Sequence, residues 1–374
     1  MILKCTSFEN MKREVKEKNM SLAVFGAGVT GTVTTPEILA EYGMMEDIVC
    51  YLDNNPAIQK NGIMVREKFF LVKPADSLEY IEGNIAVIVA VSRYTEVLKQ
   101  LELMACADRL WCYLMPMMCI HNFCCNASGG KAVLNRRPLI PKTIHYMWLG
   151  KKTLPYGLHK CIDSWKKYCP DYEVIRWDET NYNIEKHPYM KEAYESGAYG
   201  FVPDFARLDI LYEYGGIYLD TDVELLRSLD PLLCQEAFCG VEKWQVINFG
   251  GCSGAIKNNS AIGEFLEERK RIKFYNDDGS LNYNTCGYYD TRVALKHGYR
   301  LNGETQYVMG MNIYAFDYFH PYDYMSGRLD QTKNTYSIHH FNGGWLDEKM
   351  KDANKEAVRK FEQIYRETQK EERR

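Results

Sequence analysis

Short apolar runs alternate with helical patterns along the first third of the chain. The stretch MSLAVFGAG, residues 20–28, is an apolar run that ends in glycines, as a buried strand followed by a turn would. A helical pattern, TPEILAEYG, comes next, and then the apolar runs DIVCYLDNN, NIAVIVAVS and ADRLWCYL. Strands separated by helices predict a parallel sheet, and hence a Rossmann-like domain over residues 1–115.

The turn after the first apolar run carries Gly26, Gly28 and Gly31 in the G-x-G-x-x-G spacing. Asp53 follows about 20 residues later, where dinucleotide-binding folds place an acid that binds ribose. A nucleotide bound at the helix N-terminus is one prediction for this domain. The domain is short for a complete dinucleotide site, and no Tyr-x-x-x-Lys pattern follows it. A scaffold without a ligand is therefore the alternative.

Three further segments differ in pattern. Residues 116–138 have an irregular composition with NASGGK and NRRP, which predicts a linker. Residues 139–348 again alternate, since KTIHYMWLG and EVIRWD predict strands and LHKCIDSWKKYCPDY has apolar residues at helical spacing. Residues 349–374 predict a charged helix with a thin apolar stripe. That helix either packs on the protein or contacts an anionic membrane.

Two acids one residue apart stand near the middle of the second α/β region, in FVPDFARLDILYEYGGIYLDTDVELL. Pro203 favours a helix start, and Gly215 and Gly216 stop the helix. A short apolar strand then leads to Asp220 and Asp222, whose carboxylates would repel each other. A divalent cation, which prefers oxygen ligands, would remove that repulsion. A solvated acidic turn is the alternative.

Two other groups are candidates for the same site. Asp204 and Arg207 are three residues apart and so lie on one helix face, unless they form only a surface ion pair. The C-terminal stretch YSIHHFNGGWL carries His339 and His340 at the end of an apolar run. A histidine there would complete a metal shell, and the glycines would let backbone amides reach phosphate oxygens.

Composition narrows the function classes. The chain has 374 residues, 46% hydrophobic and 26% charged, and a formal net charge of −4 argues against nucleic acid as a partner. We expect no signal peptide, because the first 20 residues are charged and lack an apolar stretch before a small-residue cleavage site. We also expect no transmembrane helix, because no run reaches about 18 apolar residues. Thirteen cysteines favour free thiols and a cytoplasmic location. Cys119, His121, Cys124 and Cys125 could hold zinc, but a second ligand pair at the usual spacing is missing.

The segment from Ile140 to about Leu346 resembles the D-x-D sugar-transferase family that includes Och-type mannosyltransferases and capsular polysaccharide transferases. It is similar, more distantly, to the catalytic domain of the large glucosylating toxins. The matching pieces are IPKTIHYMWLG, SWKKYCPDYEVIRWD, PDFARLDILYEYGGIYLDTDV and HHFNGGW. The resemblance implies a GT-A fold, a UDP- or GDP-linked sugar donor, Mn²⁺ or Mg²⁺, and retention of anomeric configuration. The N-terminal domain resembles small modules of sugar-modifying enzymes in bacterial polysaccharide pathways.

The resemblance also implies which residues meet the metal. Asp222 should bind the ion directly, and Asp220 should hold the ribose and reach the ion, directly or through water. His340 matches the position of a further metal ligand, with His339 as the alternative. A role in the acceptor-side region is a weaker expectation, because NTCGYYDTRVALKHG is only loosely similar to the family.

For the donor, the resemblance implies that Trp148 stacks on the nucleobase and that Tyr218 lies near the ribose or the sugar. Trp345 should close over the diphosphate. Asp204 and Arg207 should contact the donor sugar, its hydroxyls and the phosphate, and with the D-x-D acids they form the predicted catalytic set.

Together these patterns predict a fold of the α/β class, in which a GT-A transferase domain follows a small Rossmann-like domain. The predicted function is a metal-dependent retaining transfer of a hexose to a glycan or lipid-linked glycan, in bacterial surface or capsular polysaccharide synthesis. The protein would be cytoplasmic, with peripheral contact at the inner membrane face as a further expectation. The alternatives are an NAD-dependent nucleotide-sugar oxidoreductase or epimerase and a non-catalytic nucleotide-sugar sensor.

Overall fold

The computed structural model describes residues 1–124, 129–151, 153–276, 279–282, 284–343 and 348–372. These residues divide into two compact units. The first unit draws on Met1–Asn126, Tyr324–Gly327 and Glu348–Arg374, and the second on Ala127–Asp323 and Arg328–Asp347. Each unit packs helices against a sheet, which confirms the predicted α/β class.

The first unit is built on a parallel sheet. Its strands are β1 (Ile2–Lys4), β2 (Ser21–Phe25), β3 (Ile48–Leu52), β4 (Ile63–Val65), β5 (Lys68–Phe70), β6 (Val72–Lys73), β7 (Ile85–Val89) and β8 (Leu110–Leu114). Its helices are α1 (Phe8–Glu17), α2 (Thr35–Glu41), α3 (Pro56–Asn61), α4 (Tyr94–Glu102) and α5 (Met115–Phe123), with a π-helical turn at Thr30–Thr34. Six strands pair in the order β1-β8-β7-β2-β3-β6, all parallel. Strand β7 is buried throughout, so its apolar sequence is continuous rather than alternating.

Packing explains the glycine pattern after β2. A Cβ on Gly31 would lie 1.8 Å from the carbonyl oxygen of Gly26, so a larger residue would push the helix off the strand. Gly26 itself has a φ of +113°, which favours glycine. Asp53, just after β3, accepts a hydrogen bond from the Ala27 amide at 2.8 Å. The glycines and Asp53 thus have structural roles, and nucleotide binding by these residues and Gly28 stays a prediction.

The second unit holds a mixed sheet. Its strands are β9 (Thr143–Met147), β10 (Glu173–Trp177), β11 (Gly216–Tyr218), β12 (Val223–Leu225), β13 (Ala237–Val241), β14 (Ile247–Asn248), β15 (Ser253–Ala255), β16 (Gln306–Val308), β17 (Met311–Tyr314) and β18 (Ser337–His339). Its helices are α6 (Tyr156–Tyr168), α7 (Pro188–Glu195), α8 (Val202–Tyr214), α9 (Ser260–Arg269), α10 (Cys286–Lys296) and α11 (Phe316–Phe319). The main sheet runs β10-β9-β11-β15-β13-β17-β16, with β14 paired to β13, and β12 pairs separately with β18. Strands β10, β9 and β11 are parallel, so their carboxyl ends lie at one edge.

Helix α8 has the bounds that its sequence predicts. Pro203 stands in the first turn, where its missing N–H costs nothing, and Gly215 ends the helix with a φ of +70°. A Cβ on Gly215 would lie 2.8 Å from the Lys257 amide nitrogen, so the turn into β11 has no room for a side chain. Most of α8 is buried, including Asp204 and Arg207, which places a charged pair inside the unit.

The charged C-terminal helix, α12 (Glu348–Glu372), packs on the first unit. The Tyr94 hydroxyl donates to the Ala357 carbonyl at 2.7 Å, and Phe361 is 1% exposed within the core. Lys99 Nζ lies 2.9 Å from a Glu356 carboxylate oxygen at the surface. The apolar stripe therefore has a partner within the unit, while membrane contact stays a prediction. Among the described residues, no helix combines the length and apolar character needed to span a bilayer.

Replacing Phe361 tests this packing. Phe361→Ala should lower the free energy of unfolding by about 3–5 kcal/mol, because it opens a cavity in the core. Arg359→Ala, at an exposed position of the same helix, should change it by less than about 0.5 kcal/mol. Urea unfolding followed by circular dichroism measures both, and equal small effects would show that the helix is not docked.

Candidate active site

The two acids of the D-x-D pair lie in a turn that two distant segments hold in place. The Asp220 amide donates to the Gly250 carbonyl at 2.9 Å, just after β11 ends. Strand β12 follows the turn and pairs antiparallel with β18, with Val223 opposite His339. The His340 amide then donates to the Asp222 carbonyl at 3.0 Å. The C-terminal strand thus folds back onto the turn, as the sequence interpretation requires.

The two neighbouring histidines, His339 at the end of β18 and His340 just after it, point to opposite sides of the chain. His339 Nε2 lies 3.3 Å from Asp222 Oδ1 and 3.9 Å from Asp220 Oδ2. His340 Nε2 instead lies 3.0 Å from Glu224 Oε2. Side chains alternate along a strand, so only one of two consecutive residues can face the acids. The structure places the alternative, His339, against the D-x-D pair, and it places His340 away from that pair.

Asp222 and His339 form a charged pair in a largely buried setting. The Asp222 carboxylate also accepts the Asn342 amide at 2.8 Å, and the His339 ring stacks on Phe341 with 4.0 Å between centroids. Burial alone would raise the pKa of Asp222, but His339 and the Asn342 amide lower that pKa to about 2. Burial would likewise lower the pKa of His339, but Asp222 and Asp220 hold it above its ordinary value. The imidazolium and the carboxylate therefore support each other.

Arg207 stands between two carboxylates on the other side of the turn. Its Nη2 lies 3.2 Å from Asp204 Oδ1 and 3.3 Å from Asp220 Oδ1, and its side chain is 7% exposed. Burial works against the charged form, yet Asp220 and Asp204 keep the pKa of Arg207 well above its usual value. The predicted pair of Asp204 and Arg207 is thus buried rather than a surface ion pair. Arg207 and His339 together offset the repulsion between the D-x-D acids.

A turn that contains Gly250 and Gly251 packs against Asp220. A Cβ on Gly250 would lie 2.0 Å from Asp220 Oδ2, so only glycine leaves room for the carboxylate. Asn248 Oδ1 accepts the amides of Gly250 and Gly251 at 2.8 and 3.2 Å. Its Nδ2 donates to Glu242 Oε1 at 2.8 Å. Sequence reasoning missed this support, and the glycine pair in NFGGCSG was its only signal.

The three residues predicted to contact the donor lie in different settings. Trp148 follows β9 at the same sheet edge as Asp220 and is half-buried. Tyr218 is 1% exposed, and the Arg207 guanidinium carbon lies 5.6 Å from its ring centroid. The ring therefore packs against Arg207. Trp345 lies outside the described residues. Donor contacts by all three residues stay predictions.

The metal hypothesis can be tested against the donor atoms present. Among the described residues, no three His, Cys, Asp or Glu side chains are arranged to hold a metal, and Cys125 of the predicted zinc cluster lies outside them. The carboxylates of Asp220 and Asp222 remain 23% and 15% exposed. Mg²⁺ and Mn²⁺ are commonly held by one or two carboxylates together with substrate phosphates. Asp220 and Asp222 fit that mode, in which the protein supplies only part of the shell.

Known proteins are similar to the part of the chain that carries this site. Residues 155–239 match the family described as a glycosyltransferase sugar-binding region containing a DXD motif. Inositol phosphoceramide mannosyltransferase 3 of Schizosaccharomyces pombe is 39% identical over 107 residues, which are 26% of this chain and 29% of the relative. Mannosyl phosphorylinositol ceramide synthase SUR1 of Saccharomyces cerevisiae is 37% identical over 107 residues, 27% of each chain.

Two further matches involve bacterial or structurally characterised proteins. Subversion of eukaryotic traffic protein A of Legionella pneumophila is 29% identical over 111 residues, 22% of this chain and 17% of the relative. The solved structure of PaToxG Glycosyltransferase is 22% identical, with a TM-score of 0.30, and the match covers 34% of this chain and 59% of that chain. The chain spans under a third of the length of the two fungal relatives. Residues 155–239 therefore match a D-x-D glycosyltransferase region, as the sequence resemblance predicts.

Removing Arg207 should destabilise the second unit. Arg207→Leu leaves the buried Asp204 and the part-buried Asp220 without this counter-ion, which should cost about 3–5 kcal/mol of folding free energy. Lys270→Ala breaks the exposed pair with Glu267 and should cost less than about 1 kcal/mol. Urea unfolding measures both variants. Equal stabilities would mean that the Arg207 charge is not needed to hold the two acids together.

Glu242 predicts a pH dependence of stability. Burial raises its pKa from 4.5 to about 7, so the folded protein binds this proton more tightly than the unfolded chain does. Stability is therefore lost as pH rises from about 4.5 to 7. Glu242→Gln keeps an acceptor for Asn248 and removes this loss. The free energy of unfolding of the variant, relative to that of the wild type, should therefore rise by roughly 2 kcal/mol from pH 4.5 to pH 8, after a reduction for the partial exposure of Glu242. Urea unfolding at both pH values measures the gain, and a constant difference would contradict it.

Proposed function

We propose that the protein is a metal-dependent glycosyltransferase that moves a hexose from a nucleoside diphosphate sugar to an acceptor hydroxyl. The observation that carries the proposal is the position of Asp220 and Asp222. Their part-exposed carboxylates share one turn at the carboxyl end of β11, with Arg207 behind one acid and His339 against both. The match of residues 155–239 to a D-x-D glycosyltransferase region supports the same function.

Charge accounting at the turn supports a metal. Arg207 is already compensated by Asp204 and Asp220, and His339 is compensated by Asp222. An anionic diphosphate brought to this turn would therefore meet carboxylates and no surplus of positive charge. A divalent cation held by Asp220 and Asp222 would supply that charge and would stabilise the diphosphate as it leaves.

The protein side chains then have distinct tasks. Asp220 and Asp222 would hold the cation, while Arg207 and His339 position these two acids. In the transfer, the bond from the anomeric carbon to the diphosphate breaks, and a bond to the acceptor oxygen forms. The acceptor proton passes to the leaving diphosphate. Retention of configuration, which the family resemblance implies, places the acceptor on the face that the diphosphate leaves.

The acceptor proposal draws on the names of the relatives. Two of them are named for mannose transfer involving inositol phosphoceramide. We therefore propose a glycolipid or lipid-linked glycan hydroxyl as the acceptor, with the protein at a membrane surface as the accompanying proposal. The names of these relatives lend no support to a bacterial surface or capsular glycan as the acceptor.

Replacing the D-x-D acid tests the function. Asp222→Ala should lower transfer or donor hydrolysis by about 100-fold or more, because it removes a ligand that acts on the developing diphosphate charge. His339→Ala should also lower the rate, since Asp222 loses its partner. Release of nucleoside diphosphate from a panel of nucleotide sugars, with Mn²⁺ or with EDTA, measures each rate.

His340→Ala is the matched comparison, because its ring faces Glu224 rather than the acids. It should leave the rate within a few-fold of wild type. An active Asp222→Ala variant, or turnover that survives EDTA, would overturn the proposal. Oxidation of a nucleotide sugar with bound NAD and no metal would instead support an oxidoreductase or epimerase.

A further inference from the structure

A cavity of about 420 Å³ opens in the second unit. Its walls come from the turn after β9, the loop after β10, and helix α7. The polar residues that line it include Lys151, Glu179, Tyr182, Asn183 and Tyr194. Mixed polar and aromatic walls of this kind suit a flat heterocycle with several hydrogen-bonding edges.

The cavity lies at the correct edge of the sheet to share a ligand with Asp220. Strands β10, β9 and β11 are parallel neighbours, so the loops after them line one edge. Ligands of open α/β sheets bind outside the carboxyl ends of such strands. Two strand spacings, about 10 Å, separate the loop after β10 from the exit of β11. A nucleoside diphosphate is long enough to extend from the cavity to the D-x-D turn.

Glu179 is fixed on the cavity wall as an anionic acceptor. Its Oε1 accepts the Gly150 amide at 2.6 Å and the Tyr194 hydroxyl at 3.0 Å. Burial alone would raise the pKa of Glu179, but these hydrogen bonds and one from its own backbone amide lower that pKa below its ordinary value. Gly150, with a φ of +86°, forms a turn in which a Cβ would meet the Tyr199 ring at 2.7 Å. The carboxylate is therefore held from two sides.

We infer that this cavity binds the nucleobase of the donor and that Glu179 selects guanine over uracil. The inference rests on the proposed transferase function and names the class of its donor. Guanine presents its N1–H and its exocyclic amino group side by side, and one carboxylate can accept from both. Uracil presents a single N–H between two carbonyl oxygens, which a carboxylate repels. Lys151 and Asn183 carry donors that suit the guanine carbonyl oxygen.

Nucleotide binding by the full chain tests the inference. Calorimetric titration with GDP and with UDP, each with Mn²⁺, should show GDP bound at least about 10-fold more tightly. Glu179→Gln keeps an oxygen for Gly150 and Tyr194, but it puts an amide donor where guanine also donates. The variant should lose about 10- to 100-fold of its GDP affinity and change less than about threefold for UDP. Glu173→Gln, at an exposed position of β10 that does not line the cavity, is the matched control and should bind both nucleotides like wild type.

The outcomes separate this inference from the proposed function. Tighter binding of UDP than GDP overturns the guanine assignment, as does an equal loss of both nucleotides in Glu179→Gln with an unchanged thermal midpoint. In either case Asp222→Ala would still abolish transfer, and the transferase proposal would stand. A Glu179→Gln variant that keeps GDP binding and loses affinity for the acceptor would assign the cavity to the acceptor. If neither nucleotide binds with Mn²⁺, the transferase proposal falls as well.

Discussion

The site depends on one electrostatic arrangement, in which the Asp220 carboxylate lies between the Arg207 guanidinium and the His339 imidazole. Burying carboxylates without positive partners is costly, and breaking a buried pair leaves that cost uncompensated. Here each positive partner comes from a different part of the chain, since Arg207 lies on α8 and His339 on β18. The arrangement therefore links α8 and β18 to the turn after β11. The carboxylates of the two acids nevertheless remain 23% and 15% exposed.

The backbone around this turn is shaped to admit the charges. Gly215 ends α8 abruptly enough for β11 to begin at once, and Gly250 leaves the space that the Asp220 carboxylate fills. The Asn248 side chain holds the amides of the turn that contains Gly250, and Glu242 holds Asn248 in turn. Hydrogen bonds and close contacts thus connect the end of β13 to the D-x-D acid Asp220. The same sheet edge carries Trp148 and the cavity beside Glu179, so three parallel strands place all the residues proposed to contact the donor nucleotide.

Sequence predicted the elements well where local chemistry decides them. Pro203 and Gly215 mark the ends of α8, and the apolar run before Asp220 marks β11, because helix termini and buried strands have local signals. The identity of the facing histidine could not be predicted reliably, since a register difference of one residue exchanges the faces of a strand. Glu242 and Gly250 were missed because their roles come from contacts with residues far along the chain. The glycines near Gly26 match a nucleotide pattern, yet close packing alone already accounts for Gly26 and Gly31.

The most direct measurement is the binding of Mn²⁺ to the full chain in the presence of a nucleoside diphosphate, followed by electron paramagnetic resonance of the free ion. The account predicts that the free Mn²⁺ signal falls with wild-type protein and with His340→Ala, and that it stays high with Asp222→Ala. A signal that falls equally with Asp222→Ala would contradict the claim that the turn after β11 holds the cation.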